Sequence, residues 1–249
     1  MRKTLVTSIL LNSILTALLG YLLVRAGGWN QLRLLFNQSE QNQYLQRANL
    51  FLELPLQANP VVLLGDTYIA QAEWQEFLPK RTPVLNRGIN NDLVQGVQAR
   101  LPEVIRHQPS IVFLCVGMQD LLLDKPFDQI EKSYFELVKT IQKGSPSTLV
   151  VITSLPPLQQ PYSSGSLHNQ RILELNIRLE QIARTTGTQY LNLYHQLTDS
   201  SGNLHPRYAD ENGLLNTTAY QVWKDQIEKV LAKFSTVSPA SPPSSDTLQ

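Results

Sequence analysis

The chain has 249 residues, 42% of them hydrophobic and 16% charged, and its 21 Lys/Arg against 20 Asp/Glu leave a formal charge of +1. That length suits one domain with a sizeable core plus short appendages, and the balanced, unclustered charge argues against a nucleic-acid surface. A single cysteine, Cys115, lies within an apolar run; it cannot make an internal disulfide and reads as a small buried hydrophobe.

At the N-terminus, Arg2 and Lys3 precede an uncharged run of 21 residues from Thr4 to Val24. As a helix it is about 30 Å long, the thickness of a bilayer core. The basic flank favours a cytoplasmic N-terminus. Residues 1–25 are therefore expected to form a transmembrane anchor, with a cleaved signal peptide as the competing reading. Either one places the rest of the chain on the extracytoplasmic side of a membrane. Residues 26–57 hold a short lead-in helix, with Trp29, Leu32, Leu35 and Phe36 at helical spacing, then a polar stretch broken up by Pro55 and Pro60.

From residue 58 to 235 strands and helices alternate five times. PVVLLGD predicts the first strand, followed by a helical patch around Ala70–Leu78. TPVLNRG predicts the second, followed by a helix from about Asp92 to His107. SIVFLCVG is apolar on both faces, as a central strand is. A helix near Gln129–Gln142, the strand STLVVITSLP and an amphipathic helix carrying Ile172, Leu175, Leu179 and Ile182 come next. Gly187 ends that helix, TQYLNLYHQL predicts the fifth strand, and a last helix runs from about Thr217 to Phe234. Residues 236–249 are a Ser/Pro-rich tail expected to be disordered. The alternation predicts a parallel sheet covered by helices, with its site at the C-terminal ends of the strands.

The loops at those ends carry motifs. Gly65-Asp66-Thr67 follows the first strand, Asn86-Arg87-Gly88-Ile89-Asn90-Asn91-Asp92 spans the end of the second, and Gly117-Met118-Gln119-Asp120 follows the third. Ser154–Pro157 then leads to a helix with Asn169 and Asn176. Glu211-Asn212-Gly213-Leu214-Leu215-Asn216 precedes Ala219, Tyr220 and Trp223. In this order the series resembles the blocks of the GDSL, or SGNH, hydrolase family, most closely its small bacterial esterase and acetylhydrolase-like branch, over roughly residues 58–234. The resemblance implies an α/β fold, three layers (α/β/α) around a five-stranded parallel sheet of flavodoxin-like type. It also implies ester or acyl hydrolysis by a serine, a histidine and an aspartate, with an oxyanion hole.

Carried over residue by residue, the family pattern keeps its loop scaffold in Gly65, Asp66, Gly88, Gly117, Asp120, Gly213 and Asn216. The working positions depart from it. Thr67 stands at the nucleophile, Asn91 at the glycine whose N–H serves the oxyanion hole, Gln119 at the asparagine and Glu211 at the aspartate. Leu214 stands at the histidine, and leucine takes no proton. His205, nine residues upstream, is the one substitute base on the same loop; His107, His168 and His195 read as structural or exposed. No histidine or cysteine spacing suggests a metal, and no cofactor is implied.

Three readings follow. The first is a membrane-tethered SGNH-fold protein lacking ordinary esterase activity, which binds a small ester, acyl or glycan ligand or a protein partner. The second is an atypical hydrolase that uses Thr67 with a relocated base such as His205. The third is unrelated chemistry in the retained cleft.

Overall fold

The computed structural model describes residues 8, 12–13, 15–18, 21, 28–78, 83–159 and 168–237. It separates into two compact units, residues 1–50 and 51–249. The expected anchor lies mostly outside the described residues, and among those described no helix is long and apolar enough to cross a membrane. The lead-in segment is one continuous helix, α1 (Gly28–Glu53), rather than a short helix and a polar spacer. Its polar stretch contains neither proline nor glycine after Gly28, so nothing interrupts the backbone hydrogen bonding before Leu54.

The second unit is built on five short parallel strands: β1 (Val61–Gly65), β2 (Val84–Gly88), β3 (Ile111–Cys115), β4 (Leu149–Thr153) and β5 (Gln189–Leu191). Their order across the sheet is β2-β1-β3-β4-β5. All five residues of β1 and of β3 are buried, as continuous apolar runs covered on both faces must be. Strand β1 pairs with β2 on one side and β3 on the other, with Gly65 level with both Gly88 and Cys115. The chain reverses direction across the sheet at that point, which opens a crevice above the C-terminal ends of β1 and β3.

Helices fill the crossovers. After β1 come α2 (Thr67–Ala70) and α3 (Trp74–Phe77); after β2 come α4 (Val94–Ala99) and α5 (Leu101–Ile105). After β3 come α6 (Met118–Leu122) and α7 (Phe127–Gly144); after β4 comes α8 (Asn169–Thr186). Helices α9 (Leu193–Leu197) and α10 (Thr217–Val237) complete the domain. Right-handed crossovers in this strand order put α4, α5, α7 and α8 on one face and α2 and α3 on the other. Helix α10 joins the second group through fully buried Trp223, whose ring meets Trp74 edge-on at 5.1 Å between centroids. Such edge-on pairs match the ring quadrupoles and add to the burial of two large apolar surfaces.

Two predicted elements come out differently. The helix expected from Asp92 to His107 is split at Arg100, whose φ of −101° and ψ of 8° are not helical. Pro102 in the first turn of α5 has no N–H to continue the earlier hydrogen-bond series. The fifth strand is only three residues long. The Asn192 side chain accepts the His195 N–H, and Leu193, Tyr194 and Leu197 then turn inward at helical spacing in α9. His195 accordingly lies on a helix, exposed. At the C-terminus, α10 continues to Val237, and the remainder of the tail lies outside the described residues.

The sheet has little tolerance at the crevice. A Cβ on Gly65 would lie 1.8 Å from the Cys115 carbonyl oxygen of the neighbouring strand. Gly65→Ala should therefore destabilise the domain by more than about 3 kcal/mol, the range of severe overpacking. Urea denaturation checks this: a loss below 1 kcal/mol would mean that β1 and β3 can separate freely.

Candidate active site

Five loops meet at the crevice. Asp66 caps α2 by accepting the Tyr68 N–H on Oδ1 at 3.2 Å, and this presents Thr67 at the first position of the helix. The loop after β2 brings Asn91 against it, and the Asn91 backbone N–H donates to Thr67 Oγ1 at 2.9 Å. Asn91 has φ 58°, in the left-handed region. That conformation explains why the family favours glycine at this position and why asparagine, the side chain best suited to it, replaces glycine without loss of the turn. The loop after β3 turns at Gly117, φ 126°, and carries Met118 and Gln119 into the same space.

Buried ionic groups beneath the loops hold this arrangement. Arg100 Nε donates to Asp92 Oδ2 at 2.9 Å, and Arg100 Nη2 donates to the Gly65 carbonyl at 3.0 Å. One guanidinium thus ties the end of β1 to the residue after Asn91. Asp120 Oδ2 accepts the Val94 N–H at the start of α4, and its Oδ1 accepts from Lys125 Nζ at 2.8 Å. Asp92 and Asp120 thus each join two of the loops or helix starts around the crevice.

The loop after β4 is pinned by two asparagines of α8. Asn176 exchanges both side-chain bonds with the backbone of Leu155, at 2.8 and 2.9 Å. Asn169 does the same with Leu158, at 2.7 and 2.8 Å. These bonds satisfy both backbone groups of each loop residue and set Leu158 in the cleft wall. The spacing of the two asparagines was visible in the sequence; their common target was not.

The fifth loop holds the acid–histidine block. Asp210 Oδ1 accepts the N–H groups of both Asn212 and Leu214, at 2.8 and 2.9 Å. Asn216 closes the loop: Oδ1 caps α10 by accepting the Ala219 N–H, and Nδ2 donates to the carbonyls of Arg207 and Ala209. Gly213 sits in this turn at φ 75°. The brace of the loop is therefore Asp210, whereas Glu211 at the family's acid position is exposed. Leu214 projects from this loop into the crevice.

The resulting cleft has a volume of about 240 Å³. Its polar end is formed by Asp66, Thr67, Gln71, Asn91 and Gln119. Its walls are Tyr68, Met118, Leu122, Leu158 and Leu214. The structure thus brings Asp66, Thr67, Asn91, Gln119 and Leu214 together, with Gly65, Gly88, Gly117 and Asp120 in the loops that support them. Among the described residues no histidine lines the cleft. His205 Nδ1 accepts the Arg207 N–H at 3.2 Å and so caps the 3₁₀ turn Pro206–Tyr208, with its ring edge-on to Tyr208. His107 is buried and accepts the Gln57 N–H on Nδ1. This leaves its Nε2–H to donate to Glu103 at 3.1 Å, inside a pair that Glu103 also makes with Arg87.

Among the titratable groups of the cleft, Asp66 stands out. Burial pushes its carboxyl from 3.8 up to about 7, against the pull of nearby backbone N–H groups of Tyr68, Met118 and Gly117 and with a further push from the Asp92 charge. Its Oδ2 is buried with no hydrogen-bond partner among the described residues. The sequence marks Asp66 as part of the loop scaffold and gives no sign of this second property, because the burial comes from loops distant in the chain.

Similarity to known proteins follows the same geometry. A Streptococcus pneumonia protein of known structure superposes with TM-score 0.71 at 19% identity, over 80% of this chain and 97% of that one. A GDSL-like lipase from Bacteroides thetaiotaomicron superposes with TM-score 0.65 at 20% identity, over 76% and 97%. A lipase/acylhydrolase from Enterococcus faecalis does so with TM-score 0.62 at 18% identity, over 74% and 100%. No curated protein sequence matches the chain. At these identities the structures speak for the fold. The profile of the GDSL-like lipase/acylhydrolase family, however, matches residues 61–222, the span that runs from β1 through the Leu214 loop into α10. The chain belongs to the GDSL-like lipase/acylhydrolase family.

Proposed function

We propose that this protein uses an SGNH-hydrolase cleft to hold a small ester, acyl or glycan ligand without ordinary esterase turnover. The reading also has the N-terminal apolar segment tether it to a membrane, with the domain on the extracytoplasmic side. The observation that carries the proposal is Leu214, a cleft-lining residue at the family's histidine position. A hydroxyl ionises far above pH 7, so attack by Thr67 needs a base to take its proton as the bond forms. Loss of the histidine alone costs about 10⁶-fold in a serine hydrolase. The oxyanion donor is retained, since the Asn91 N–H already points at Thr67 Oγ1. The cleft therefore keeps groups that recognise a carbonyl oxygen and lacks the group that drives its hydrolysis.

That same Asn91–Thr67 contact is what favours the second reading, hydrolysis through Thr67 with His205 as base. Against it stand the capping bond of His205 to the Arg207 N–H and the absence of His205 from the cleft lining. Short-chain nitrophenyl esters offered to the wild type and to Thr67→Ala separate the two. The binding reading expects equal, near-background release of nitrophenol from both; turnover abolished by Thr67→Ala would establish the hydrolase instead.

A further inference from the structure

We propose that Phe51, which precedes the family's matched span of residues 61–222, is a positioning residue of the cleft that acts through Arg100. The inference concerns the geometry of the crevice and stands whether the cleft only binds its ligand or also hydrolyses it. Phe51 lies in the last turn of α1 and is buried within the second unit. Its seat is the C-terminal end of α5. Arg106 Nη2 donates to the carbonyls of Phe51 and Leu54, at 3.0 and 3.1 Å, and so satisfies acceptors that the end of a helix leaves open. Further along, His107 Nδ1 accepts the Gln57 N–H at 3.0 Å, and the His107 carbonyl accepts the Asn59 N–H at 3.3 Å. The chain from Phe51 to Asn59 is thereby fixed, and the Phe51 ring with it.

The ring faces two guanidinium groups. Arg87 Cζ lies 4.7 Å and Arg100 Cζ 5.9 Å from its centroid, distances at which the negative face of an aromatic ring attracts a cation. Both groups lack part of their hydrogen bonding. Arg87 Nη2 and Arg100 Nη1 are buried without a hydrogen-bond partner among the described residues, and a buried charge short of partners is costly. Arg100 spends its other donors on the cleft. Its Nη2 takes the Gly65 carbonyl, just ahead of Asp66 and Thr67, and its Nε takes Asp92, the residue after Asn91. Arg100 therefore sets the spacing of the loops that carry Thr67 and Asn91. The contact across that gap is the Asn91 N–H on Thr67 Oγ1. A π face at position 51 gives this guanidinium an attraction that its hydrogen bonds do not supply. Without that face Arg100 is held less firmly, and the two loops lose part of their common tie.

The test measures backbone amide exchange at Asn91 by NMR on the full chain. Leu155 and Leu158 serve as controls, because they lie in another loop of the crevice and their N–H groups are held by Asn176 and Asn169. Two changes remove the π face. Phe51→Met keeps an apolar side chain of similar length. A trifluorinated phenylalanine at position 51 keeps the shape of the ring and withdraws electron density from its face. Each should speed Asn91 exchange about fivefold or more and leave Leu155 and Leu158 at their wild-type rates. A loss of global stability alone would not give this pattern, since a loop amide exchanges through local opening. Arg100→Lys keeps the charge and loses the forked donation. It should speed Asn91 exchange by itself, and Phe51→Met added to it should have little further effect. Should Phe51→Met fail to fold, the fluorinated ring decides alone. An unchanged Asn91 rate with the fluorinated ring, equal acceleration at Leu155 and Leu158, or effects of Phe51→Met and Arg100→Lys that multiply in full would each overturn the inference.

Discussion

Leu214→His should confer esterase activity on this protein. Leu214 and Thr67 line the same cleft, the Asn91 N–H already faces the Thr67 hydroxyl at 2.9 Å, and Glu211 stands three residues before position 214, as the family's acid does. An imidazole placed there would put a proton acceptor into the cleft that Thr67 lines. Positioned general-base catalysis contributes about 10²–10⁴-fold, so hydrolysis of 4-nitrophenyl acetate should rise by that order over the wild type. The rate should climb with pH through about 6.5 as the imidazole becomes neutral. Thr67→Ala in the same background should return it to the wild-type level. Thr67→Ser should raise it further, because the threonine methyl crowds the approach to the carbonyl and restricts the rotamer. A folded Leu214→His variant with no gain, or a gain that survives Thr67→Ala, would show that the cleft lacks more than a base.

A second large effect is expected from Asp66. Its carboxyl titrates at about 7 when folded against 3.8 as the ordinary value. The folded pKa is raised, so the unfolded chain releases this proton first. Folding is favoured most below about 3.8 and loses free energy as pH rises towards about 7, after which the difference is constant. The whole change is about 4 kcal/mol at most. The groups that feel this charge are Asp92, which raises it, and Tyr68, Cys115, Tyr134 and Tyr220, whose own ionisation it opposes. Asp66→Asn keeps an acceptor for the Tyr68 N–H and removes the ionisation. Relative to the wild type, the variant should gain about 2 kcal/mol of stability between pH 5 and pH 8, measured by urea denaturation at both values. Taking the difference between the two proteins cancels every other titrating group. A difference that does not change with pH would mean that the carboxyl is solvated in the folded state.

The sheet was legible because its signal is local. Apolar runs of strand length, each ended by a glycine or a polar turn, recur with helical stretches between them, and β1, β2, β3 and β4 lie within the predicted segments. The misreadings came where a local rule met a competing one. TQYLNLYHQL alternates well enough for a strand, yet Asn192 caps a helix that begins inside it. The break at Arg100 falls just before Pro102, which has no N–H to carry the helical series on, within a stretch whose apolar spacing otherwise reads as one helix. At the site, the motifs located the loops that form the cleft, and Leu214, read as the family's histidine position, is among the residues that line it. The engagement of His205 with the Arg207 N–H, the buried carboxyl of Asp66 and the loop-pinning pairs of Asn169 and Asn176 were not legible. Each is a property of what surrounds the residue rather than of the residue and its neighbours in sequence.

The central claim, a carbonyl-recognising cleft with an unactivated hydroxyl, is tested most directly by the reactivity of Thr67 itself. A fluorophosphonate forms a phosphorus–oxygen bond to an activated hydroxyl and expels fluoride, so intact-mass and peptide mass spectrometry report the adduct on one atom. We expect no adduct on Thr67 in the wild type under conditions that fully label Leu214→His. Stoichiometric labelling of wild-type Thr67 would contradict the account and would show that a base reaches this hydroxyl by another route.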